Sequence, residues 1–127
     1  MKDKFQSHED LLIWQCGMDI CYQIYDLLEN CRDFRLRDQL QSSADSIPSN
    51  IAEGFELGSN RSFIRHLFIA KGSAAEFRTQ ILIAIARNYI PESRGTALLL
   101  QTKKLGGMIY EFIQARREFE KAIPNKV

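Results

Sequence analysis

Apolar residues recur every three or four positions over four stretches of the chain, with polar residues between them, so the pattern predicts helices and no strand. The first stretch runs from about Glu9 to Asn30. Trp14, Met18, Cys21, Tyr25 and Leu28 form one stripe, and Ile13, Ile20, Ile24 and Leu27 form a second beside it. The second stretch runs from about Leu36 to Glu56, with a core stripe of Leu40, Ala44, Ile47, Ile51 and Phe55 and a polar stripe of Ser42, Ser46, Ser49 and Glu53. The third opens after Ser59 or Asn60, either a good N-cap, and reaches about Asn88. Its main stripe is Phe63, Leu67, Ala70, Ala74, Phe77, Ile81 and Ile85, flanked by Ile64, Phe68, Ala75 and Leu82. The fourth starts at Pro91, a residue favoured in a first turn, and runs to about Glu120 with Leu98, Leu105, Ile109, Phe112 and Phe119 inward.

The predicted loops, Cys31–Arg35, Leu57–Asn60 and Tyr89–Ile90, are short, which makes successive helices antiparallel neighbours. The fold class is therefore all-α, an antiparallel up-down-up-down four-helix bundle. It forms one domain over residues 1–127, with its core at about 9–120. A bundle helix needs one apolar stripe. The doubled stripes of the first and third helices leave more apolar surface than a lone bundle hides, and predict self-association. Pro48 falls inside the second helix, where a proline costs about 3 kcal/mol. Pro48 is expected to kink this helix, freeing the carbonyl of Ala44 for nearby serine hydroxyls. That helix ends near Gly54 or Gly58. Gly106-Gly107 suggests close helix approach or a bend, and Gly72-Ser73 small-residue packing.

Length and composition narrow the class. The chain has 127 residues, 45% of them hydrophobic, enough for one real core. No apolar run approaches the ~20 residues that span a bilayer, so no membrane partner is expected. Met1-Lys2-Asp3-Lys4-Phe5 lacks the apolar core of a signal peptide, and the expected location is cytoplasmic. Cys16, Cys21 and Cys31 have neither the number nor the spacing of a disulfide or zinc framework, and read as small apolar packers. The net charge is +1, but residues 1–31 hold two lysines against six acids while the remainder is basic. Acidic and basic parts of this kind can pair within or between subunits.

Candidate chemistry is sparse. Glu53 and Glu76, with Ser46, Ser49, Asn50, Ser73, Thr79 and Gln80, fit a polar seam between antiparallel second and third helices. Buried acids need such hydroxyl and amide partners, so the seam reads first as a network fixing helix register. A metal or acid–base centre on Glu53, His66 and Glu76 is the sharper alternative. The chain lacks the paired Glu-x-x-His of di-iron bundles. There is no nucleophile elbow, phosphate loop or dinucleotide fingerprint. The chain therefore reads as non-enzymatic, with no catalytic residue, metal or cofactor assigned. Its basic residues fall into groups: Arg61 with Arg65, Lys71 with Arg78, Lys103 with Lys104, and Arg116 with Arg117. Repeated around an oligomer, Arg61, Arg65, Lys103, Lys104, Arg116 and Arg117 would contact RNA or DNA phosphates in a salt-dependent way. The alternative is a structural module presenting its surface to a protein partner.

Gln39-Leu40 followed by Ser46-Ile47-Pro48-Ser49-Asn50-Ile51-Ala52-Glu53-Gly54 resembles the 23S rRNA intervening-sequence protein family, also called simply four helix bundle protein. Leu12-Ile13-Trp14-Gln15 with Ile24-Tyr25, Phe63-Ile64-Arg65-His66-Leu67, and Ile69-Ala70-Lys71-Gly72-Ser73-Ala74-Ala75-Glu76 with Thr79-Gln80 agree with it. The resemblance covers about Leu11 to Phe119. It implies an antiparallel four-helix bundle that assembles as a homopentamer, with some members encoded inside intervening sequences of bacterial 23S rRNA genes. It also implies similarity to the accessory variability protein of diversity-generating retroelements, a basic pentameric barrel that binds nucleic acid and a reverse transcriptase. No enzymatic activity comes with it. Family members often carry basic residues just before the Ser-Ile-Pro-Ser-Asn element, where this chain has Gln41, Ser42 and Ser43, then Asp45.

Overall fold

The computed structural model describes residues 5–122 and contains four α-helices and no strand among them. A short 3-10 turn, His8–Asp10, precedes α1 (Leu12–Leu27), followed by α2 (Phe34–Glu56), α3 (Asn60–Ala86) and α4 (Glu92–Ala122). The 3-10 turn is held by a reciprocal cap: Ser7 Oγ accepts from the Glu9 amide, and the Asp10 carboxylate accepts from the Ser7 amide. Leu11 is extended, so α1 starts after it, at Leu12, rather than at the expected Glu9. It also stops at Leu27, three residues short of Asn30, because 28–30 form a turn.

Caps explain the other boundaries. Asp33 accepts from the Leu36 amide at 3.1 Å and opens α2 two residues before the expected Leu36. The same carboxylate accepts the Tyr89 hydroxyl at 2.9 Å, tying the α1–α2 loop to the α3–α4 loop. The Leu36 amide first, then Tyr89, hold the Asp33 carboxyl below its ordinary range. Ser59, not Asn60, caps α3 by accepting from the Ser62 amide. Gly58 ends α2 with φ 85°, a conformation glycine adopts without strain. Gly54 lies inside α2 for a different reason. A Cβ there would stand 2.6 Å from the His66 Cβ, so its absence lets α3 approach.

Contacts between α2 and α3 run antiparallel, in the series Ser43 to Gln80, Ser46 to Ser73 and Glu53 to His66. The α1–α4 edge closes through a polar clasp: the Gln23 and Gln101 side-chain amides both donate to Asp19 at 2.7 Å. Between the helices lie fully covered Ile20, Ile24, Leu40, Ile47, Ile51, Leu67, Phe77, Ile81, Leu98 and Ile109. Burial of such side chains contributes about 1.5–3 kcal/mol each.

The doubled stripes resolve unequally. In α1 the core stripe is Ile13, Ile20 and Ile24, while Trp14 and Met18 are half-buried and Tyr25 is exposed. In α3 the main stripe is buried as far as Ile81 and half-buried at Ile85, but Phe68, Ala75 and Leu82 face outward. One subunit therefore leaves Tyr25 of α1 and Phe68, Ala75 and Leu82 of α3 uncovered, while Cys21 and Leu28, on the same stripe as Tyr25, are buried.

Candidate functional site

The α2–α3 seam is built from polar positions seven apart on α3. Gln80, Ser73 and His66 meet Ser43, Ser46 and Glu53 of α2. Ser43 Oγ donates to Gln80 Oε1 at 2.6 Å, the Ser46 and Ser73 hydroxyls lie 2.8 Å apart, and Asn50 Nδ2 donates to Ser46 Oγ at 3.0 Å. His66 Nδ1 lies 2.8 Å from the Ser62 carbonyl, which can only accept, so that nitrogen carries a proton. His66 Nε2 then faces Glu53 at 3.6 Å.

Three residues expected in the seam stand outside it. Ser49 is exposed on the α1 side of α2. Thr79 is exposed and donates to the Ala75 carbonyl of its own helix. Glu76 is exposed and edges an open polar groove with Asp38, Gln39 and Ser42. Glu76 is therefore not brought to Glu53 and His66. Among the described residues, no three His, Cys, Asp or Glu side chains converge to hold a metal ion. Ser43, absent from the sequence expectation, is the buried partner of Gln80.

Pro48 is accommodated from α1 rather than from serine hydroxyls. The Ala44 carbonyl, left without an amide by the proline, accepts the Cys21 thiol at 3.2 Å. Gly17 brings the backbone close: a Cβ there would touch Ile47 and Pro48 at 3.4 Å. Burial first, and the nearby Asp45 charge second, push the Cys21 thiol up to about 12. Asp45 also accepts the Tyr25 hydroxyl at 2.7 Å, which raises that phenol to about 12. These residues border an open, largely apolar groove of about 620 Å³ with Met18 and Tyr22 on its wall and Asp26 at its rim.

The α3–α4 face has the opposite charge. Arg61, Arg65, Lys103, Lys104 and Arg117 are exposed, and none forms an ion pair with a described carboxylate. Arg117 lies 5.0 Å over the ring of Phe68, and Lys71 5.9 Å over that of Tyr110. Both rings are more than two-fifths exposed, at 41% and 46%. Arg116 differs from its neighbour. Its Nε donates to Asn60 Oδ1 at 2.6 Å, and its guanidinium packs between Phe63 and Phe119. Asn60 in turn donates to the Arg116 carbonyl and to Glu120. Arg116 is a brace between α3 and α4 rather than a free phosphate contact.

Gly106 and Gly107 lie on this face, and a Cβ at either would meet nothing within 4 Å. They do not serve close helix approach, and Gly72 is equally open.

The family model described as 23S rRNA-intervening sequence protein matches residues 9–111. No curated protein matches the chain. A solved structure of a protein with unknown function from the S23 ribosomal protein family of Bacteroides thetaiotaomicron is similar, with a TM-score of 0.75 and 22% identity. The match covers 80% of this chain and 98% of that one, and supports the all-α four-helix fold.

Proposed function

Because this chain belongs to the 23S rRNA-intervening sequence protein family, we propose that it acts without catalysis, as a self-assembling bundle that accompanies RNA or DNA in the cytoplasm. The outer α3–α4 face is the binding surface. The observation that carries this reading is the pairing of unneutralised cations with exposed rings, Arg117 on Phe68 and Lys71 on Tyr110. Cations attract the phosphate backbone in a salt-dependent way, and rings accept unstacked bases. Arg61, Arg65, Lys103 and Lys104 extend the same charge. The likeness to the accessory variability protein of diversity-generating retroelements that the sequence resemblance implies would point in this direction too.

Self-assembly is supported by apolar surface left outward, including Tyr22 at 62%, Leu82 at 56% and Leu100 at 66% exposure. The pentamer implied by family resemblance is part of this reading. The test is retention of a single-stranded oligonucleotide by purified protein at low ionic strength. Retention that falls steeply with salt is expected, together with a light-scattering mass several times 14.7 kDa. No retention at low salt overturns the nucleic-acid role, and a monomer mass at micromolar concentration overturns the assembly.

The apolar α1–α2 groove favours a second reading, a protein-interaction module. A partner that remains bound after nuclease treatment and is released by Tyr22→Glu would support it over the first.

A further inference from the structure

Among the described residues, three open grooves carry carboxylates: Asp26 and Asp45 in the first, Asp38 and Glu76 in the second, Glu29 in the third. A fourth, between α3 and α4, holds about 350 Å³ and is lined by three cations, Lys71, Arg78 and Lys103, with no acid on its wall. We propose that this groove seats the phosphate group of a nucleotide, whether free or in a nucleic-acid chain.

Three features carry the inference. Uncompensated like charges drawn from two helices repel one another, and an anion between them relieves that repulsion. The Nε of Arg78, like that of Arg37 beside the third groove, is shielded from water and has no hydrogen-bond partner among the described residues. Buried donors of this kind are rare because each lacks a compensating acceptor. A phosphate oxygen is an acceptor that the Arg78 guanidinium can engage through its terminal nitrogens. The third feature is the floor. Ala74 and Ala75 on α3 face Gly106 and Gly107 on α4. Glycine inside a helix is unfavourable relative to alanine, and neither glycine has a packing neighbour that excludes a methyl group. Their effect is to keep the groove open. Tyr110 also lines the groove, and its half-exposed ring offers a face to a base or sugar.

The inference rests on the nucleic-acid reading only for the source of the phosphate. Its test uses the full chain with three probes: adenosine 5′-monophosphate, adenosine, and a single-stranded oligonucleotide. Titration calorimetry is expected to show saturable binding of the monophosphate and none of adenosine. Lys103→Ala and Arg78→Gln should each weaken phosphate binding about tenfold or more, the loss of one charge-assisted contact. Gly107→Ala supplies a variant that folds at least as well as the parent, and it should also weaken binding by narrowing the floor. Loss of oligonucleotide affinity in the same variants assigns the site to backbone phosphate. Monophosphate binding without oligonucleotide retention assigns it to free nucleotides, and overturns the broader reading while the groove stands. Oligonucleotide retention that Lys103→Ala and Gly107→Ala leave unchanged overturns the groove alone. No saturable response to either phosphorylated probe overturns it outright.

Discussion

The Cys21 thiol of α1 donates to the carbonyl of Ala44 in α2 across 3.2 Å, and that is the carbonyl to which residue 48 would donate if it were not proline. Ala44 is fully covered, so without Cys21 its oxygen would be a buried acceptor lacking any partner. The pairing predicts coupling between the two sites. Cys21→Ala should destabilise the parent by about 1 kcal/mol more than it destabilises the Pro48→Ala variant, in which the new amide takes over the carbonyl. Equal costs in the two backgrounds, measured by urea unfolding, would show that the thiol does not compensate for the proline.

The same thiol sets an alkaline limit. The folded chain holds the Cys21 proton to about 12, against an ordinary value of 9.0. A raised value means that the contribution is complete below 9.0 and is lost as pH climbs towards 12. Tyr25, raised to about 12 by Asp45, acts in the same direction. The melting temperature should fall over this window, and less steeply in Cys21→Ala. Iodoacetamide at pH 8 should leave Cys21 unlabelled in the native protein and label it once unfolded.

Glycines in the middle of helices should divide by sign. At Gly54 an added Cβ meets His66 at 2.6 Å, so Gly54→Ala should destabilise by about 1–3 kcal/mol. At Gly106 and Gly107 a methyl group meets nothing, and alanine there should stabilise by about 1 kcal/mol each. Thermal unfolding of the three variants checks the order.

Buried hydroxyls divide in the same way. Ser43, 4% exposed, satisfies Gln80, and Ser43→Ala strands a buried amide oxygen at a cost of about 1–3 kcal/mol. Thr102 is fully covered and its hydroxyl has no partner among the described residues. Thr102→Val should therefore stabilise by about 1 kcal/mol. A destabilised valine variant, by chemical denaturation, would indicate that the hydroxyl is satisfied.

Helix number, most of the α2 and α3 core stripes and the position of Pro48 inside a helix were readable from spacing, because helical periodicity repeats along one element, whereas Tyr25 of α1 and Phe119 of α4, expected inward, are exposed. The seam was half readable for the same reason. A polar residue on an apolar helix marks a contact but not the side from which its neighbour approaches. Each step along a helix turns by about 100°, so Ser43 and Ser49, three residues either side of Ser46, point to opposite flanks. The structure sets Ser43 against α3 and Ser49 towards α1, which no local pattern states. The Cys21 contact and the Asn60 bond to Arg116 join separate helices across long stretches of chain. Spacing within one helix cannot reveal them.

The brace on Arg116 changes what its charge is worth to a polyanion. A guanidinium held by Asn60 between two rings keeps its charge, but its Nε and both faces are already engaged when a nucleic acid arrives. The dependence of affinity on salt counts only phosphates that are neutralised, at about 0.7 in logarithmic slope for each single-strand contact. Arg117→Gln should thus flatten the slope by about that amount and leave the melting temperature alone. Arg116→Gln should do the reverse. Two adjacent arginines, indistinguishable to a charge tally, would then report separately on ligand and on architecture.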